Sequence, residues 1–341
     1  MKNYRILLFL SVFTFIFSCK EDKKATPIEP ETVVVSDPLP SWNEGKTKND
    51  ILAFVKNVTT EGSSGFVPVE NRIATFDNDG TLWSEQPAYF QLFFALDKIK
   101  LMAEDHPEWK STEPFKSVLA DDMEGIMKSG EKGLVQLMMT SHANTTAEEF
   151  EESVKNWMKT AKHPRFNQPY NTVVYQPMQE LLDYLKAHGF KNFIVSGGGI
   201  DFMRAWAPET YGIPSNQIIG SSINAKFDYT DGNASIIKMP ELDFNDDKAG
   251  KPVGIYQHIG KKPIFAAGNS DGDLQMLQYT DSNTYPSFQL YVHHTDAERE
   301  WAYDRESHIG QFNIGLDEAI AKGWTLVDMK NDWKTIFSFQ E

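Results

Sequence analysis

Apolar positions along the chain fall into runs that alternate between helical and strand spacing. From Asn49 onward, Ile51, Phe54, Val55 and Val58 recur at helical intervals, which predicts a first helix. Ile73-Ala74-Thr75-Phe76 then forms a continuous β-prone run that stops at Asp77-Asn78-Asp79-Gly80-Thr81-Leu82. Such a run, bounded by Gly, predicts a strand over 72–77 that is buried on both faces, as strands of parallel sheets are. The alternation returns with Leu181, Leu182 and Leu185 on one helical face, Gly189 as the stop, and Phe193-Ile194-Val195 as a strand ending in Ser196-Gly197-Gly198-Gly199. A helix over 252–259 leads to the strand Pro263-Ile264-Phe265-Ala266-Ala267, and Phe288 to Val292 reads as a further buried strand. The expected class is α/β with a parallel sheet, whose ligands bind at the carboxyl edge of the strands.

Two stretches break the rhythm. Between Leu82 and about Tyr170 no strand ending in acids occurs, and Tyr89–Ala103 and Ala147–Ala161 both read as helix. Nearly 90 residues is too much for one crossover, so a helical insertion is expected over about 84–170. Its aromatics Trp83, Tyr89, Phe90, Trp109 and Trp157 are candidates for a pocket lining, although such residues are more often core. The second stretch, 220–245, is β-rich, with Asp231-Gly232-Asn233 as the turn of a small hairpin.

The amino terminus follows another logic. Lys2 and Arg5 precede a 12-residue apolar run, Ile6 to Phe17, which is too short to span a bilayer and reads as the core of a secretory signal. The sole cysteine of the chain, Cys19, stands at its end, so no intramolecular disulfide can form. Residues 19–45, with Pro27, Pro30, Pro38 and Pro40, read as an extended tether, and 46–341 as the catalytic body. With eight Trp and 40% hydrophobic residues the body can build a substantial core. Removing residues 1–18 takes away Lys2 and Arg5 and no acid, so the formal net charge goes from −15 to −17. A nucleic-acid partner is disfavoured, because phosphate-backbone binding needs a basic surface.

The chemistry concentrates at strand ends. Two carboxylates at i and i+2, Asp77 and Asp79, can converge on one cation through side-chain or backbone oxygens, and Mg²⁺ accepts such hard ligands. The run Ile73 to Leu82 resembles the first motif of the haloacid dehalogenase-like phosphohydrolase superfamily, an apolar strand followed by D-x-D-G-T. Three later stretches follow the same family order. Ser196 with its glycines resembles the second motif, Lys251 before Pro252 the third, with Lys248 as the rival lysine, and Gly268-Asn269-Ser270-Asp271-Gly272-Asp273 the fourth.

The resemblance implies a Rossmann-like three-layer core with a helical cap inserted after the first strand, nearest to the phosphoserine-phosphatase-like branch. It implies Mg²⁺-dependent hydrolysis of a small phosphomonoester, a phosphorylated metabolite. Asp77 would be the nucleophile that forms an aspartyl-phosphate, and Asp79 the acid and base. Ser196, Gly197 and Lys251 would hold the phosphoryl group. The implied metal ligands are Asp77, Asp79, Asn269 and Asp273, with Asp271 in reserve. Asn269 departs from the family pattern, which has aspartate there, and so removes one negative charge from the metal site. A phosphotransferase or mutase, and a surface binding lipoprotein with weakened catalysis, remain as alternatives. True dehalogenases need no second acid, which Asp79 supplies. His293 and His294, at the same sheet edge, are open between a substrate role and an ordinary helix start capped by Thr295 or Asp296. Ile16-Phe17-Ser18-Cys19 resembles a bacterial lipobox, which implies cleavage before Cys19, its lipidation, and membrane contact through that anchor only. The expected location is the outer membrane of a Gram-negative bacterium, facing periplasm or cell surface.

Overall fold

The computed structural model describes residues 37–340. The signal-like run, Cys19 and the first part of the tether lie outside the described residues. Helix α1 (Lys46–Thr59) buries Ile51, Phe54, Val55 and Val58. Strand β1 (Ile73–Phe76) is buried at every position. Between it and residue 170 the chain forms only helices: α2 (Phe90–Met102), α3 (Phe115–Leu119), α4 (Met123–Lys128), α5 (Gly130–His142) and α6 (Ala147–Thr160), with one short 3-10 turn. Next come α7 (Gln176–Ala187), β2 (Lys191–Gly199), α8 (Ile200–Arg204), α9 (Ala207–Tyr211), β3 (Ile218–Thr230) and β4 (Asn233–Phe244). The chain ends with α10 (Gly250–His258), β5 (Phe265–Gly268), α11 (Leu274–Asp281), β6 (Phe288–Thr295), β7 (Ala302–Tyr303), α12 (Ile314–Lys322), β8 (Thr325–Asp328) and α13 (Met329–Asp332).

The eight strands form one sheet in the order β4-β3-β2-β1-β5-β6-β7, with β8 also beside β6. Six of them, β3-β2-β1-β5-β6-β8, run parallel. The chain steps outward from β1 to β3 and then returns to β5 on the other side of β1, so the order reverses at β1 and β5. A crevice at that reversal is where such sheets bind ligands. Phe76 sits level with Ile194 and Ala267, which brings Asp77, Ser196 and Asn269 to one edge, with Ser196 still paired to Gly220 of β3.

Strand periodicity divides the core. Ile194 packs on one face with Phe54, Leu181 and Leu185, while its neighbours Phe193 and Val195 pack on the other with Ile255 and Leu277. Helix α2 faces two ways: Phe90 and Phe94 join the first core, and Leu92, Leu96 and Ile99 form a separate cluster with Trp109, Phe115 and Leu137. Apolar residues all round this helix follow from that double burial. Helix α6 begins on a capping box, in which Thr146 accepts from the Glu149 N–H and the Glu149 carboxylate from the Thr146 N–H.

Only the first three residues of β3 are buried, and beyond them the strand leaves the sheet as a hairpin with β4. Its turn places Asp231 and Gly232 at positive φ, the geometry that a tight two-residue hairpin requires. On the way back Lys238 pairs with the loop between α5 and α6, donating to the Thr145 carbonyl and accepting from the Asn144 N–H. The hairpin and the helical insertion therefore meet above the carboxyl edge.

One expected boundary is displaced. Residues 38–45, read as the end of a tether, are packed into the body: Leu39 and Trp42 are buried, Trp42 donates from Nε1 to the Pro177 carbonyl at 2.9 Å, and its ring meets Trp333 edge-on at 5.9 Å. The compact unit starts at Pro38. Among the described residues no helix is long and apolar enough to cross a membrane.

Candidate active site

The loop after β1 is held from several sides. The Asp77 N–H donates to the Ala267 carbonyl of β5 at 2.9 Å, and Tyr211 donates its hydroxyl to Asn78 Oδ1 at 3.1 Å. Gly80 takes φ of 75°, and a Cβ there would lie 2.1 Å from Asn269 Nδ2 and 2.5 Å from Glu85 Oε1. Glycine is required at this position by both conformation and space. Two side chains reach the loop from the end of β6 and from α2's approach: His294 donates from Nε2 to the Gly80 carbonyl at 2.8 Å, and Trp83 donates from Nε1 to Asp79 Oδ1 at 2.8 Å. The Trp83 ring is itself fixed by stacking on Trp206 at 4.0 Å.

Lys251, from the first turn of α10, is almost wholly buried at the centre of the site. Its ammonium donates to Asp77 Oδ1 and to the Val195 carbonyl, both at 2.6 Å, and lies 2.9 Å from Asp273 Oδ1. Burial alone would lower its pKa, but the Asp273 and Asp77 carboxylates hold it above the ordinary lysine value. The rival, Lys248, is exposed, sits at positive φ in the preceding loop and makes no contact with the acids. Ser196 is buried at the end of β2 and accepts from the Gly198 N–H at 3.0 Å. Gly198 faces Asp79, whose Oδ2 would be 3.5 Å from a Cβ placed there.

The fourth motif separates into distinct tasks. Asn269 accepts from the Thr81 hydroxyl at 3.2 Å and donates from Nδ2 to Glu85 Oε1 at 2.7 Å. Asp273 spends Oδ2 on the N–H groups of Asn269 and Ser270 and Oδ1 on Lys251, so both of its oxygens are engaged in holding the motif and the lysine. Asp271 points away, accepting from the N–H groups of Asn313, Ile314 and Gly315 at the start of α12.

Electrostatically the cluster is short of positive charge. Asp77, Asp79, Glu85, Asp247 and Asp273 line the cavity together with one cationic side chain, Lys251. Burial, with the Asp273 carboxylate next, pushes Asp77 well above the usual carboxylate range against the pull of Lys251. Burial raises Asp79 to about 6 despite the Trp83 hydrogen bond, and raises Glu85 as well, with Tyr303 and Asn269 opposing. Among the described residues no three His, Cys, Asp or Glu side chains converge as a ready-made cage for a metal ion. The set fits a different kind of site, since Mg²⁺ takes one or two carboxylates and fills its other positions with water and phosphate oxygens.

Sequence reasoning singles out neither Glu85 nor Gln91. Glu85 carries a signal nonetheless, as the only charged residue from Leu82 to Leu96. Gln91, on α2, accepts from the Gly199 N–H at 2.7 Å and joins the insertion to the second motif. Of the five aromatics named as pocket candidates, Tyr89 lines the cavity; Trp83, Phe90, Trp109 and Trp157 pack within the cores. His294 is buried beside Glu300 and stacks on Tyr303 at 4.3 Å, which makes it a support of the loop, while His293 faces Asp304 outside the site. Asp296 caps the turn after β6 by accepting from the Glu298 and Arg299 N–H groups.

A family model described as haloacid dehalogenase-like hydrolase matches residues 74–278. No curated protein matches the chain. Among solved structures, a protein of unknown function from Bordetella pertussis is 16% identical, over 76% of this chain and 99% of that one, with a TM-score of 0.46. One from Anaerococcus prevotii, also of unknown function, is 16% identical over 81% and 88%, with a TM-score of 0.47. A phosphoserine phosphohydrolase-like protein from Francisella tularensis is 17% identical over 65% and 87%, with a TM-score of 0.35.

Proposed function

The chain belongs to the haloacid dehalogenase-like hydrolase family, and on that premise we propose that it hydrolyses a phosphomonoester through an aspartyl-phosphate on Asp77, with Mg²⁺ bound. The observation that carries this reading is the placement of Asp77, Asp79, Ser196 and Lys251 around one cavity of about 440 Å³ at the reversal point of the sheet. Lys251 fixes Asp77 through Oδ1, which leaves Oδ2 to attack phosphorus. As the P–O bond to the leaving group breaks, Asp79 gives that oxygen its proton; a pKa of about 6 suits a group that must later act as base. Asp79, now ionised, takes a proton from water, whose oxygen attacks the phosphorus and returns Asp77 as a free carboxylate. Ser196 and the Gly197 N–H hold the phosphoryl oxygens, with the Gly198 N–H fixing the Ser196 hydroxyl, and Lys251 offsets their charge.

Asp77, the Asp79 backbone carbonyl, Asn269 and Glu85 would hold Mg²⁺, with Asp273 fixing the motif behind them. When bound, the cation screens the phosphate from the carboxylates that surround it. In this arrangement Glu85 returns the charge that asparagine at 269 removes.

Phosphate release from a panel of phosphomonoesters, with Mg²⁺ and with EDTA, tests the reading. Asp77→Asn is expected to lose at least about a hundredfold in rate, since the amide cannot attack phosphorus, and Lys251→Ala to lose far more than Lys248→Ala. Near-normal turnover by Asp77→Asn would exclude the covalent route.

A further inference from the structure

The acidic cavity is one part of a larger space. It shares Gln91, Leu134, Val135, Met138, Gly198 and Asn245 with an adjoining chamber of about 700 Å³. The walls of that chamber come from the two excursions that meet above the sheet edge: α5 supplies Leu134, Val135, Met138 and Met139, and the hairpin supplies Ile223 and Leu242. Several of these apolar side chains stand in water, Val135 at 44% and Leu242 at 50% exposure. Clustered exposure of this kind beside a polar site marks ligand contact, and methionines adapt to an irregular apolar occupant.

The charged groups in the walls are already matched. Lys238 is paired with Asp201 and lies 4.6 Å from the Phe150 ring. His142 is hydrogen-bonded to Gln91 and to Ser141, and burial pushes its pKa down to about 3, so it is neutral. The remaining titratable group, His308, is exposed at the rim. Apart from Ser221, Ser222, Asn245 and the exposed His308, the walls of the chamber are apolar or already paired, so they would compensate a charged leaving group poorly for the water it loses.

We propose that the substrate carries a long, uncharged apolar leaving group of roughly ten carbon atoms or more, lying between α5 and the β3–β4 hairpin while its phosphate meets Asp77. This rests on the hydrolase reading above and names the substrate class for the same site. It also explains why Gln91 and Gly199 are tied together: they form the passage between the phosphate end and the apolar end.

The test is a series of n-alkyl phosphates from butyl to dodecyl, kept below their aggregation concentrations, with phosphoserine and glycerol phosphate as polar comparisons. For the full-length enzyme, kcat/KM is expected to rise about two- to fourfold per methylene until the chamber fills, and then to level off. Leu242→Glu should lower the decyl-to-butyl ratio at least about tenfold, a ratio that overall loss of activity does not move. In Asp77→Asn, decylphosphonate should bind tighter than ethylphosphonate by calorimetry, which reads the chamber without turnover. A flat or falling series, a preference for phosphoserine, or equal phosphonate affinities would overturn the apolar leaving group and leave the hydrolase reading standing. Absence of phosphate release from every ester would instead overturn the hydrolase reading.

Discussion

At the scale of single residues, Asn269 is the informative departure. Read from sequence, an amide in place of a carboxylate weakens a metal site, and restoring aspartate should tighten it. The structure changes the expectation, because Nδ2 of Asn269 already donates to a buried carboxylate, Glu85, at 2.7 Å. An aspartate there would lose the donor and bring two carboxylates into contact. Taking one of its two donors from the buried Glu85 carboxyl, the Tyr303 hydroxyl at 2.7 Å being the other, costs about 2 kcal/mol, which for a chain of this size lowers the melting temperature by roughly 3 °C. Asn269→Asp is therefore expected to melt below the wild type in EDTA, and saturating Mg²⁺ should close or reverse the gap, since a cation bound between the two carboxylates removes their repulsion. Thermal unfolding of both proteins under both conditions checks this. An equal deficit with and without Mg²⁺ would take Asn269 and Glu85 out of the cation site.

At the scale of elements, the segment before α1 belongs to the body. Trp42 is buried against Trp333 and hydrogen-bonded to Pro177. Trp42→Ala should cost about 3–5 kcal/mol, roughly 5–8 °C in melting temperature; a solvated tether residue would change stability by less than about 0.5 kcal/mol. A melting curve unchanged by the substitution would return residues 38–45 to the tether. The sequence shows too little here because one Trp among prolines has no period, and its partner lies nearly 300 residues away. The strands β1, β2, β5 and β6 are legible for the opposite reason: burial on both faces makes each a continuous apolar run, and parallel pairing forces their ends, with Asp77, Ser196 and Asn269, to one edge. The helix-to-strand step from α12 to β8 was within reach, since Gly323 at positive φ ends that helix as Gly189 ends the earlier one. Gln91 and His142 were not, because their roles come from α2 and α5 lying side by side, which spacing along the chain does not encode.

At the scale of the whole molecule, charge and substrate class bear on how the enzyme meets its substrate. Without residues 1–18 the chain carries a formal charge of −17, so anionic lipid surfaces repel it, and no basic block offsets this. A phosphate ester with ten or more apolar carbons resides in membranes, where an acidic protein finds it slowly. Covalent lipid on Cys19 would reverse that, because two or more acyl chains hold a protein at the bilayer and raise its effective concentration towards anything embedded there. Cys19→Ala is accordingly expected to lose fatty-acid labelling and membrane fractionation. It should also turn over dodecyl phosphate in vesicles at least about tenfold more slowly than the reconstituted lipidated protein, a conservative share of the gain that tethering provides. Butyl phosphate, which is water-soluble, should be hydrolysed equally by both, since Cys19 lies outside the catalytic body. Labelling of Cys19→Ala would remove the anchor, and equal rates on vesicles would show that the substrate is met in solution.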